Sequence, residues 1–99
     1  MAKYDVFARR SGAGYLLDCQ ADLLSRLNTR FVVPLLPAAE APKPAARLNP
    51  LFELDGGSYV MMTQFAAAVP AAELGEKVAS LREHDTAILN ALDMLISGF

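Results

Sequence analysis

The stretch LFELDGGSYVMMTQF, residues 51–65, limits the fold more tightly than any other part of the chain. A two-residue hairpin loop of type I′ needs positive φ at both central positions, and an Asp-Gly pair between apolar runs supplies it. LFEL and SYVMMTQF are therefore predicted to lie antiparallel. In the second run Tyr59, Met61 and Phe65 point one way and Val60 and Met62 the other, so the strand has no polar face and belongs inside a sheet.

The residues before this hairpin also read as strands. Tyr4, Val6 and Ala8 alternate with Lys3, Asp5 and Arg9 over residues 3–9, with Phe7 breaking the polar face. SGAG at 11–14 supplies turn chemistry, and YLLDC at 15–19 is the return strand. FVVPLL at 31–36 is apolar on both faces and should be covered on both sides, while Pro34, which cannot donate to a ladder, marks an edge or a bend. Residues 37–50 hold four of the six prolines and five alanines. Each X-Pro step pushes its neighbour out of helical space, so this segment is a loop.

The period changes in the last third. VPAAELG, 69–75, reads as one helical turn with Pro70 at its start and Gly75 as its stop. SLRE at 80–83 has the form of a capping box, Ser80 accepting an amide three residues on and Glu83 reaching back, so the main helix is predicted from there to about Ser97. On a helical wheel Leu81, His84, Ile88, Ala91, Leu92, Leu95 and Phe99 form one stripe, flanked by Leu89, Met94 and Ile96. The apolar arc spans roughly 200°, against the roughly 100° that suffices to pack one side of a helix. Part of the surplus must face something other than the chain's own core. The expected fold is one α+β domain over residues 1–99, mostly β, with an SH3-like antiparallel barrel closed by the C-terminal helix.

Composition and residue chemistry then exclude most functions. No apolar run approaches the roughly 20 residues of a membrane span. The opening MAKYDVFARR has no signal-peptide core, and a single cysteine makes no internal disulfide, so a cytoplasmic location is expected, with no membrane partner. Net charge is −2 and the basic residues are scattered, which disfavours direct nucleic-acid binding. One His84 and one Cys19 cannot assemble a metal centre. Cys19 shares the apolar phase of its strand with Tyr15 and Leu17, as a packing residue would. SGAG and DGG lack the spacing and lysine of a phosphate cradle. No catalytic residue, cofactor or metal is expected; the distinctive asset is surface shape.

QADLL (20–24), TRFVVPL (29–35), YVMMTQFAAAVPAAELGEKVASL (59–81) and ILNALDMLISGF (88–99) together resemble the CcdB family, the toxin half of a bacterial toxin–antitoxin pair. The resemblance implies the barrel-and-helix fold, a homodimer, and a protein that binds the A subunit of DNA gyrase, traps its cleaved DNA complex, and is stripped off by a cognate CcdA-like antitoxin. It also implies a gyrase-contacting surface made of an aliphatic pair, here Leu23 and Leu24, and of the helix end, here Asp93, Ile96, Ser97, Gly98 and Phe99. Leu89 and Met94 are the expected dimer contacts, with Phe99 left exposed. The family pattern carries tryptophan where Ser97 stands and asparagine where Asp93 stands. Those departures define an alternative, a diverged member that binds antitoxin without poisoning gyrase. A third reading, an endoribonuclease toxin on the same barrel, needs a base, an acid and cationic stabilisation gathered in a cleft, and the sequence shows no such grouping.

Overall fold

A computed structural model describes residues 2–10 and 12–98. Seven strands and one helix follow in chain order: β1 (Asp5–Arg9), β2 (Tyr15–Asp18), β3 (Thr29–Pro37), β4 (Leu51–Leu54), β5 (Gly57–Met61), β6 (Ala67–Pro70), β7 (Leu74–Ser80) and α1 (Asp85–Ser97). Every pairing is antiparallel, in the order β4-β5-β3-β2-β1-β7, with β6 also beside β3. The curled sheet with α1 packed into it is the expected α+β, SH3-like barrel.

Both hairpins form where turn chemistry puts them. Between β4 and β5, Asp55 and Gly56 take φ of 53° and 81°, the positive pair that a type I′ turn requires. Between β1 and β2, Gly14 has φ of 85°, and a Cβ there would lie 2.3 Å from the Leu35 carbonyl oxygen, so both backbone and space demand glycine.

β3 is the spine. One edge pairs with β2, and the other is shared by β6, beside Thr29 to Val32, and β5, beside Leu35 to Pro37. Pro34 is thus inside a strand paired on both edges, not at a sheet edge. Its carbonyl accepts the Met62 amide at 2.9 Å, and since an extended residue aims N–H and C=O to one side, its missing donor falls in the gap between β6 and β5.

The sheet is covered on both faces. On one, Val6, Leu17, Val33, Leu35 and Met61 pack against Ile88, Ala91 and Leu92 of α1. On the other, Phe7, Leu16, Val32 and Leu74 form a second small cluster with Val69 at its side. Phe7, which broke the polar face of its strand, is explained by that second cluster.

Four boundaries differ from expectation. The strand read over SYVMMTQF stops at Met61, and Thr63–Phe65 instead forms a 3₁₀ turn in which Phe65 is exposed. The first strand starts at Asp5, because Tyr4 sits at φ of 71° in a turn closed by the Asp5 amide donating to the Ala2 carbonyl at 3.0 Å. Residues 71–73 do make one turn, a 3₁₀ turn, yet Pro70 ends β6 and residues 74–80 continue as β7. Gly75 stops no helix. It lies where β7 crosses β1, and a Cβ there would come 2.6 Å from the Ala8 carbonyl oxygen. The capping box is not made either: Ser80 ends β7, its Oγ accepts the Arg82 amide two residues on at 3.3 Å, and the helix begins at Asp85 after a 3₁₀ turn over Arg82–His84. No helix among the described residues is long and apolar enough to cross a membrane.

Candidate protein-contact surface

The segment 21–29 is exposed along its whole length. Within it Asp22–Leu24 forms a 3₁₀ turn with no buried residue, closed by the Leu24 amide on the Ala21 carbonyl at 2.9 Å and the Ser25 amide on the Asp22 carbonyl at 3.1 Å. Leu23 is 93% exposed and Leu24 48%, so the aliphatic pair stands in water. Side-chain hydrogen bonds hold this turn in place of packing. The Lys3 amide donates to Asp22 Oδ1 at 2.7 Å, and Gln20 Nε2 donates to the Leu24 carbonyl at 2.8 Å.

The second apolar element is the end of α1. Ile96 is 77% exposed, Leu89 and Leu95 are exposed beside it, and Met94 is half-buried. Leu89 and Ile96 are seven residues apart and so share one side of the helix. Asp93, Ser97 and Gly98 are all exposed. Gly98 ends the helix in the left-handed region, φ 78°, with its amide on the Met94 carbonyl at 3.0 Å, so the last turn is closed despite its exposure. Phe99, expected to complete this tip, lies outside the described residues. The turn carries Leu23 and Leu24 together, and α1 carries Asp93, Ile96, Ser97 and Gly98. No hydrogen bond joins the two groups among the described residues.

Behind the turn lies a buried polar network absent from any reading of the sequence. Arg30 and Asp18 are 1% and 0% exposed, and the guanidinium donates to Asp18 Oδ2 from Nε at 3.0 Å and Nη2 at 2.5 Å. Asp18 Oδ1 accepts the Gln20 amide at 3.0 Å, and Gln20 Oε1 accepts the Phe31 amide at 2.9 Å. A polar group left unpaired in such a place is costly, and Arg30 Nη1 is the one buried side-chain nitrogen without a partner among the described residues. The pairing is tertiary, joining residues 12 apart on neighbouring strands, so no local pattern announces it.

The remaining candidates are unreactive or elsewhere. Burial, followed by the neighbouring Asp18 carboxylate, pushes the Cys19 thiol up to about 12, which keeps it protonated and a poor nucleophile. Hydrogen bonding to Tyr59, whose ring centroid is 5.0 Å away, raises the Tyr15 hydroxyl above its ordinary value. His84 lies against Phe52, centroids 5.1 Å apart, with Glu83 3.8 Å away. On the second face of the sheet a cavity of about 390 Å³ has Leu16 and Val32 in its floor, Phe65 and Val69 in its wall, and Arg9 and Arg10 at its rim. Those two arginines, the only adjacent basic pair in the sequence, had no assigned role. The model of the CcdB protein family matches residues 3–98.

Proposed function

The chain belongs to the CcdB family, and we propose that it is a gyrase-directed toxin that docks its aliphatic turn and helix end on the gyrase A subunit and holds the enzyme on cleaved DNA. The observation that carries this reading is that Leu23 and Ile96, 93% and 77% exposed, are the two most exposed large apolar residues among the described residues. The toxin makes and breaks no bond. It needs only to bind the cleaved-complex conformation of its target more tightly than the resealed one, which shifts the population toward broken DNA. Gyrase from the same host, incubated with supercoiled plasmid and the purified protein, should yield linear DNA after denaturation. Intact plasmid at saturating protein would end the proposal.

Neutralisation by a cognate antitoxin is the second part of the reading. The cavity beside Arg9 and Arg10 supports it, because an acidic arm with apolar side chains would meet two guanidinium groups against the single carboxylate of Glu73, together with an apolar floor. Arg9→Glu with Arg10→Glu should weaken antitoxin binding by at least tenfold and leave gyrase poisoning intact.

Ser97 favours one alternative specifically. It is exposed at the contact surface and cannot stack, and a lost aromatic hot spot costs roughly 2 kcal/mol, about thirtyfold in affinity. A diverged member would then bind antitoxin and spare gyrase. Induced expression separates the two: growth arrest supports the poison, harmless accumulation the antitoxin binder. Restoring the aromatic with Ser97→Trp should sharpen poisoning in either case.

A further inference from the structure

We propose that Gln20 is a positioning residue for the contact turn: its carboxamide ties the sparsely anchored Asp22–Leu24 turn to β3 and so presents Leu23 and Leu24 in a fixed geometry. The inference rests on the reading of this turn as a partner contact. Gln20 is 8% exposed and bonds at both ends, Nε2 to the Leu24 carbonyl at 2.8 Å and Oε1 to the Phe31 amide at 2.9 Å. A carbonyl only accepts and an amide only donates, so the partners fix the carboxamide in one orientation, and a flip would oppose both bonds.

The turn has little else. Residues 21–29 are all exposed, so no buried side chain holds it; the far end of the segment is fixed where the Asn28 carbonyl accepts the Ala71 amide at 2.8 Å, and at Asp22–Leu24 itself, apart from its own short-range bonds, the tethers are Gln20 Nε2 and the Lys3 amide on Asp22 Oδ1. Gln20 is itself held from behind, its amide on Asp18 Oδ1, whose other oxygen is bonded to Arg30. The network therefore runs from a buried ion pair through one carboxamide to an exposed leucine pair. If the held turn is the binding-competent form, apparent affinity falls in proportion to the fraction of molecules that keep it.

Gln20→Glu isolates the tether. A carboxylate still accepts the Phe31 amide, but it turns a lone pair toward the Leu24 carbonyl, so the contact with the turn is lost while that with β3 is kept. Amide exchange at Leu24, Ser25 and Leu27 should quicken at least tenfold, with β2 and β3 amides unchanged. Protonating the new carboxyl by lowering pH should return the donor, and with it the protection once intrinsic exchange rates are allowed for. Affinity for the gyrase A subunit should fall by the factor by which the held fraction of the turn, obtained from the exchange data, falls. On a Leu23→Ala background the substitution should cost little more, because the residue it positions is gone. Should Gln20→Glu fail to fold, Gln20→Met, of similar length and uncharged, is measured in the same way.

Unchanged exchange in the turn overturns the proposal. So does a held fraction that falls severalfold with unaltered gyrase affinity, where Leu23→Ala does weaken binding. If the native protein does not bind gyrase at all, it is the toxin reading that falls, and turn exchange alone then decides whether Gln20 positions the turn.

Discussion

Removing Asp18 alone and removing it together with Arg30 should have unequal consequences. Asp18→Asn leaves a buried guanidinium facing a neutral amide, and breaking a buried pair in this way typically costs about 3–5 kcal/mol. Asp18→Leu with Arg30→Met removes both charges. It still strands the Gln20 amide, at about 1–3 kcal/mol, yet should cost less than the single change. Urea unfolding of the three proteins checks the order, and a double variant weaker than Asp18→Asn would refute it. Cys19 supplies a pH dependence. The folded thiol keeps its proton up to about 12, while an unfolded cysteine releases it near 9.0. Above that lower value the unfolded chain binds fewer protons than the native one, so unfolding free energy should fall as pH rises through this window. Cys19→Ala should remove its share of the slope; an identical slope in both proteins would place the titration elsewhere. Cys19 was legible, since it shares parity with Leu17 in an alternating strand. The Asp18–Arg30 pair was not, because alternation assigns Asp18 to the opposite face and gives no sign that this face too is covered, by residues as distant as Val69 and Leu74.

Elements were legible in the sequence to the extent that their determinants are local. The Asp55-Gly56 turn and the proline-rich loop each depend on residues within a few positions of one another, and each forms; of the stripe expected on the helix, Leu81, Ile88, Ala91 and Leu92 are buried while His84 and Leu95 are exposed. β7 depends on β1. Its residues LGEKVAS alternate poorly, and its register against β1 shifts twice, so only the tertiary partner makes it a strand. The capping box failed for the same reason: pairing of Ser80 with Asp5 claims the residue for the sheet before the helix can use it. A contrast follows between two substitutions. Glu83→Ala, exposed and making no capping bond, should change stability by less than about 0.5 kcal/mol. Gly75→Ala forces a methyl onto the Ala8 carbonyl, with backbone on both sides of the contact, and should cost about 1–3 kcal/mol. Thermal melts of the two variants test this, and a destabilised Glu83→Ala would reinstate the capping box.

At the scale of the whole molecule one helix is proposed to serve both a homodimer and a target. α1 buries Ile88, Ala91 and Leu92 in its own subunit, which leaves Leu89, Met94, Leu95 and Ile96 for other uses. Exposure grades them. Met94 is half-buried and Leu89 exposed by 48%, while Ile96, about two turns beyond Leu89 on the same side of the helix, is exposed by 77%. A homodimer interface is apolar at its centre, and two-fold symmetry sets the same patch against itself, so a charge placed in it meets its own copy across the axis. If Leu89 and Met94 form such an interface, the native protein should sediment as a dimer at micromolar concentration and Leu89→Lys or Met94→Lys as a monomer. Ile96→Lys is the discriminating variant. A lysine there is solvent-exposed and favourably placed at the negative end of the helix dipole, so folding should be nearly unaffected. Dimerisation should survive, and linear DNA in the gyrase assay should be lost, because the apolar tip proposed to enter the target has been charged. A monomeric Ile96→Lys would place the tip inside the dimer interface, and a dimeric one that still cleaves would leave the contact to the Leu23 turn alone.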